Sequence, residues 1–131
     1  MKILLYTHAL IWFYQNAPNL SKNAKNSIEF PGAKVYVSMA TIWEMAIKTA
    51  LGKLEIGASL EKFVGDILEN GIQILPIETS HIFQNQKLPF HHTDPFDRLI
   101  IAQVLVEKLD IVSVDRSFDA YLTGAQISRI W

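Results

Sequence analysis

Asp94-Pro95-Phe96-Asp97-Arg98-Leu99-Ile100-Ile101-Ala102-Gln103-Val104 and, a few residues on, Ile111-Val112-Ser113-Val114-Asp115 read as a helix that feeds a buried strand. Aspartate is a favoured helix cap, and proline suits the first helical position because an N–H there has no partner to lose. Apolar residues then recur at Leu99, Ile100, Ala102, Val104, Val106 and Leu109. Ile111–Val114 is short and continuously apolar, as expected of a strand covered on both faces.

Working outward, the same alternation repeats. Lys2–Tyr6, Val35–Val37 and Ile72–Leu75 are further short apolar runs, the last stopped by Pro76, and a final strand is expected near Gln126–Ile130. Between them the sequence predicts helices. One starts near His8 with Thr7 as its cap, one is capped by Ser21 and ends at Pro31-Gly32, and one spans Ala40–Leu51 and is closed by Gly52. Another runs from Ser59 to Gly71, a short one from Thr79 through Gln86, and a last short one lies near Ser117–Tyr121. Strands alternating with helices predict an α/β fold whose central, mainly parallel sheet is covered on both sides. The 131 residues suit a single domain, residues 1–131.

Composition removes several classes. Half the residues are hydrophobic and 19% are charged, enough apolar surface to exclude disorder of the whole chain. There is no cysteine, which excludes a disulfide frame, a thiolate zinc site and a cysteine nucleophile, and agrees with a cytoplasmic location. The net charge of −1 implies no broad electropositive face, so any nucleic-acid contact must be local. No apolar run is long enough to span a bilayer, and no membrane partner is expected. Lys2-Ile3-Leu4-Leu5 imitates the start of a secretion signal, but Thr7 and His8 interrupt it and no small-residue cleavage site follows.

In open parallel sheets the reactive crevice lies beyond the carboxyl ends of the strands. Acids reach that edge from separate elements. Glu44 sits in the helix after the second strand, Asp97 in the first turn of the apolar helix with Asp94 one turn before it, and Asp115 after the fourth strand. Each has a plain structural role available: Glu44 paired with Lys48 at i,i+4, Asp94 as an N-cap, Asp97 as an acid complementing the helix dipole, and Asp115 as an Asx-turn. Taken together, three acids at one sheet edge suit a hard divalent cation such as Mg2+ or Mn2+.

These residues carry a resemblance. Lys2–Leu10, Ser38–Lys48 with Ile42-Trp43-Glu44, Leu88–Gln103 with Asp94-Pro95-Phe96-Asp97-Arg98, and Ile111–Phe118 resemble the PIN domain, specifically the toxin nucleases of VapC type. The resemblance covers nearly the whole chain. It implies a three-layer α/β/α sandwich and a metal-dependent endoribonuclease that is the toxin of a toxin–antitoxin pair. It further implies an antitoxin protein as partner and a homodimer. Glu44, Asp97 and Asp115 fall on the family's acids, with Asp94 beside them. The family's first acid, however, falls on Tyr6. A phenol is neutral near pH 7 and bulkier than aspartate, so it cannot supply the charged oxygen that Mg2+ prefers. The resemblance therefore implies two alternatives, a ribonuclease weakened at Tyr6 or a PIN module that binds antitoxin or RNA without cutting. Arg98, Lys48 and Arg116 are candidate RNA-phosphate contacts, the alternative for each being a solvated surface charge.

Other readings are less well supplied. His91, His92, Asp94 and Asp97 could offer a two-histidine transition-metal centre, but adjacent histidines in an extended loop point in opposite directions. A receiver-type phosphoacceptor lacks its acid pair after the first strand. A serine hydrolase lacks a Gly-x-Ser-x-Gly elbow.

Overall fold

The computed structural model describes all of residues 1–131. In chain order the elements are β1 (Lys2–Leu5), α1 (Thr7–Tyr14), α2 (Lys22–Glu29), β2 (Lys34–Ser38), α3 (Met39–Ala50), α4 (Leu60–Glu69), β3 (Gln73–Leu75), α5 (Thr79–Lys87), α6 (Pro95–Glu107), β4 (Asp110–Val112), a 3-10 turn (Arg116–Phe118), α7 (Asp119–Leu122) and β5 (Arg129–Ile130). The five strands form one sheet in the order β3-β2-β1-β4-β5, every pair parallel. This is the expected α/β/α sandwich.

Both faces of β1 are buried, which is why its sequence is a solid apolar run rather than an alternating one. Ile3 and Leu5 pack with Val35, Val37 and Val112 beneath α1, α2 and α4, where Leu10, Ala24, Phe63 and Ile67 close one core. Leu4 and Ile111 face the other way, against Ile100, Ile101 and Val104 of α6 and Phe118 and Tyr121 beyond β4. α3 serves both cores, with Ala40 in the second and Met45 in the first.

Several boundaries differ from the sequence reading. Tyr6, not Thr7, stands at the N-cap of α1, because its N–H still pairs with Val112 O (3.1 Å) and holds it in extended backbone. Glu78, not Thr79, precedes α5, its N–H donating to His81 Nδ1 at 3.0 Å. β4 stops at Val112 and β5 is only two residues long, since pairing ends where the partner strand runs out.

The strand order reverses direction at β1. The chain winds outward to β2 and β3, then returns to place β4 on β1's other edge. Connections on either side diverge there, and the carboxyl ends of β1 and β4 are where an open parallel sheet places its reactive crevice.

Candidate functional site

Tyr6 leaves the carboxyl end of β1 directly into this crevice. Its ring stands edge-on to Phe118 (4.9 Å between centroids, 83°), and its hydroxyl donates to Asp97 Oδ1. Asp97 arrives from the first turn of α6, whose start is fixed by Asp94. One carboxylate oxygen of Asp94 accepts from Phe96 N at 2.8 Å and Asp97 N at 3.1 Å. Asp94 thus fills the capping role available to it in sequence.

Burial lifts the Asp97 carboxyl above its usual range, and the charges of Asp94 and Glu44 add to this against the opposing hydrogen bond from Tyr6 and the charge of His92. The Tyr6 phenol is pushed well above its ordinary value, by burial first, then by its bond to Asp97 and the negative charges of Asp97, Glu44 and Asp94. Tyr6 is therefore a neutral donor throughout the physiological range, and Asp97 is the acceptor it serves.

Glu44 is brought to the same edge by α3 and is only 6% exposed. Its two oxygens are both taken: Oε1 accepts from Thr7 Oγ1 at 2.9 Å and Oε2 pairs with Lys48 Nζ at 3.2 Å. Thr7 has one hydroxyl hydrogen and spends it on Glu44, so the 3.2 Å contact with Thr41 Oγ1 has Thr41 as donor. The i,i+4 pair expected between Glu44 and Lys48 is present, and Lys48 remains half-exposed at 45%.

Asp115 caps the 3-10 turn after β4. Its Oδ1 accepts from Ser117 N (2.9 Å) and Ser117 Oγ (2.5 Å). Burial alone would raise this carboxyl, but the two Ser117 hydrogen bonds and His92 together hold it below the usual range. Since Ser117 gives its only hydroxyl hydrogen to Asp115, the 2.8 Å contact with His92 Nε2 has the imidazole as donor. His92 Nδ1 is buried without a partner. His92 and Ser117 were not read from the sequence as partners of Asp115, although the Asp-x-Ser spacing of a turn was there to suggest half of it.

Arg98 is not presented to solvent as a phosphate contact would be. Its side chain turns inward (7% exposed), and its guanidinium donates to the carbonyls of Pro89 (3.0 Å), Asn85 (3.2 Å), Leu88 (3.3 Å) and His92 (3.4 Å). The Phe90 ring lies 4.1 Å from its central carbon. The role expected for Arg98 is corrected on this ground: its donors are consumed by the chain itself, and it holds the loop that carries His92. Arg116 stays exposed and has no ion-pair partner.

Tyr6 is thus joined directly to Asp97, with the charges of Glu44 and Asp94 acting on both, whereas Asp115 is engaged by Ser117 and His92 and makes no direct contact with Tyr6, Asp97 or Glu44. No three His, Asp or Glu side chains lie close enough together to hold one metal ion. Each of the three acids is engaged by an internal partner: Asp97 by a phenol, Glu44 by a hydroxyl and an ammonium, Asp115 by a serine. A hard dication needs several free carboxylate oxygens at short range, so the side chains as they stand do not fit one.

A family model described as the PIN domain matches residues 3–121. No curated protein matches the sequence. Among solved structures, the fold is similar to VapBC2 from Rickettsia felis bound to a DNA fragment from its promoter, at 14% identity and a TM-score of 0.72 over 100% of both chains. It is also similar to VapBC-1 from nontypeable Haemophilus influenzae, at 16% identity and a TM-score of 0.65, covering 98% of this chain and 96% of that one.

Proposed function

The chain belongs to the PIN domain family, and from that premise we propose that it is the toxin partner of a VapC-type toxin–antitoxin pair, whose crevice of Glu44, Asp97 and Asp115 acts on RNA phosphodiesters with metal-dependent hydrolysis weakened by Tyr6. The observation that carries this reading is the hydrogen bond from Tyr6 to Asp97. It puts a neutral, bulky donor where the family resemblance implies an acid, and it occupies a carboxylate oxygen that a cation would otherwise use. Mg2+ or Mn2+ is the ion that Glu44, Asp97 and Asp115 would hold only with their oxygens released from Tyr6, Thr7, Lys48 and Ser117; as the side chains stand they do not fit it. Lys48 and Arg116 remain the candidate phosphate contacts.

The similar solved structures are VapBC2 and VapBC-1 by name, which supports a protein antitoxin as partner. A cavity of about 810 Å3 between α1, α2 and α4 offers that partner Phe13, Tyr14, Leu20 and Ile67 as apolar lining, with Lys25, Glu29 and Asp66 beside them. An apolar antitoxin segment would match it. For a homodimer, α3 and its C-cap expose Met39, Trp43, Ile47 and Leu51 at four-residue spacing, an apolar stripe along the helix.

The test is cleavage of a single-stranded RNA with Mn2+ by this chain, Tyr6→Asp and Asp97→Asn. Tyr6→Asp is expected to cut at least about tenfold faster, since each 1.4 kcal/mol recovered in ion binding is tenfold. Asp97→Asn is expected to abolish cutting. Equal rates for the unchanged chain and Tyr6→Asp would remove Tyr6 from the centre of the reaction. If neither cuts while an antitoxin still binds, the chain is a binding module.

A further inference from the structure

A second cavity of about 340 Å3 opens at the same carboxyl edge, lined by Val114, Arg116, Arg129 and Trp131. Arg116 directly follows Asp115 and is exposed, so this cavity adjoins the crevice. Its two cations differ in state. Arg129 is fixed, its Nε donating to Asp119 Oδ1 at 2.8 Å and its Nη1 to Ser113 O at 2.9 Å. Arg116 is unpaired and free to meet an anion.

An aromatic file connects this cavity with the crevice. Tyr6 and His8 have ring centroids 5.8 Å apart, His8 and Trp12 5.7 Å, and Trp12 and Trp131 5.8 Å. His8 and Trp12 are one turn apart on α1, so they share a face, and α1 starts where β1 ends. His8 is exposed, and Trp12 and Trp131 are partly so. The file therefore runs from the hydroxyl on Asp97 to the rim of a cavity with one free and one fixed guanidinium.

Aromatic faces alternating with cations are the chemistry that holds unpaired nucleotides. Bases stack on the rings whatever their identity, and phosphates meet the arginines. A duplex keeps its bases stacked on each other and cannot use such a file. We propose that Trp131, Arg116 and Arg129 form a nucleotide subsite for single-stranded RNA, the base resting on Trp131 and the adjoining phosphate on Arg116, with His8 and Trp12 guiding the strand toward Asp97. The proposal rests on the reading that the crevice takes RNA, and adds how the nucleotide flanking it is held. The chain's net charge of −1 is consistent with it, because only a local pair of cations is required.

The test is anisotropy of a fluorescein-labelled octauridylate with the full chain, in Mg2+-free buffer across a salt series. Trp131→Ala is expected to raise the Kd about tenfold or more, as loss of one base–ring stack does. Arg116→Ala is expected to lower the slope of log K against log salt by about 0.7, one phosphate contact on a single strand, while Arg116→Lys restores the slope. Phe83→Ala, an exposed aromatic on α5 and outside the file, is expected to bind as the unchanged chain does. An unlabelled RNA duplex should compete poorly. If the unchanged chain and Trp131→Ala bind equally and the salt slope survives Arg116→Ala, the subsite is overturned while RNA binding by the crevice stands. If no variant binds the oligonucleotide at all, both readings fall.

Discussion

Replacing Arg98 by alanine removes the most heavily used side chain near the crevice, and the cost can be worked from its contacts. Its guanidinium makes four bonds to carbonyls of Asn85, Leu88, Pro89 and His92, of which those to Pro89 (3.0 Å) and Asn85 (3.2 Å) lie in the well-formed range. A hydrogen bond to a charged group is worth roughly 1.5–3 kcal/mol, so two good ones set a scale of about 3–6 kcal/mol. Removing the buried cation also relieves its own desolvation, and the freed carbonyls can reach water around the exposed loop. We therefore expect a loss of about 3 kcal/mol, at the lower end of that scale. With an unfolding entropy of ~2.1 cal/mol/K per residue over 131 residues, this lowers Tm by about 11 °C. Arg98→Lys should fall between, since a single ammonium cannot span two pairs of carbonyls. Because the contacts are buried, the difference should be nearly the same at 0.1 M and 1 M salt. The assay is thermal unfolding followed by circular dichroism, with urea denaturation as a check. A loss under about 1 kcal/mol, or Arg98→Lys as stable as the unchanged chain, would refute the clamp.

Three further outcomes follow from the geometry. Gln103 is fully buried, accepting from Ser38 Oγ and donating to Pro76 O at 3.2 Å, so Gln103→Leu strands the Pro76 carbonyl and should cost about 2 kcal/mol by urea denaturation. The Tyr14 hydroxyl donates to Asp66 Oδ2 at 2.7 Å and, with Lys62, holds that carboxyl below its usual range. A lowered folded-state value stabilises above the unfolded carboxylate pKa and is lost as pH falls, so the Tm gap between the unchanged chain and Tyr14→Phe should be full at pH 7 and shrink below about pH 4. Trp43→Glu places a charge in the exposed α3 stripe, and sedimentation velocity should show a dimer of the unchanged chain replaced by monomer; an unchanged sedimentation coefficient would place the dimer contact elsewhere.

The sequence by itself determined the layers and the edge where chemistry could sit. Apolar runs at Lys2–Tyr6 and Ile111–Val114 read as strands buried on both faces, one residue and two residues longer at their carboxyl ends than the strands that form, and the helices between them pointed to a parallel sheet with its crevice at the carboxyl ends. Asp94 as a cap and Glu44 beside Lys48 were equally legible, because caps and i,i+4 pairs depend on neighbours within one helix. What local pattern could not decide was which partners each charged group meets across elements. Arg98 reads as a surface cation near an acid, yet its guanidinium closes on carbonyls up to thirteen residues away. The pairing of Tyr6 with Asp97 spans 91 positions, that of Thr7 with Glu44 37, and the His92–Ser117–Asp115 chain joins two loops. Only the reversal of strand order at β1 brings those segments to one crevice, because it sets the ends of β1 and β4 side by side and leaves their connecting chains to diverge around the acids.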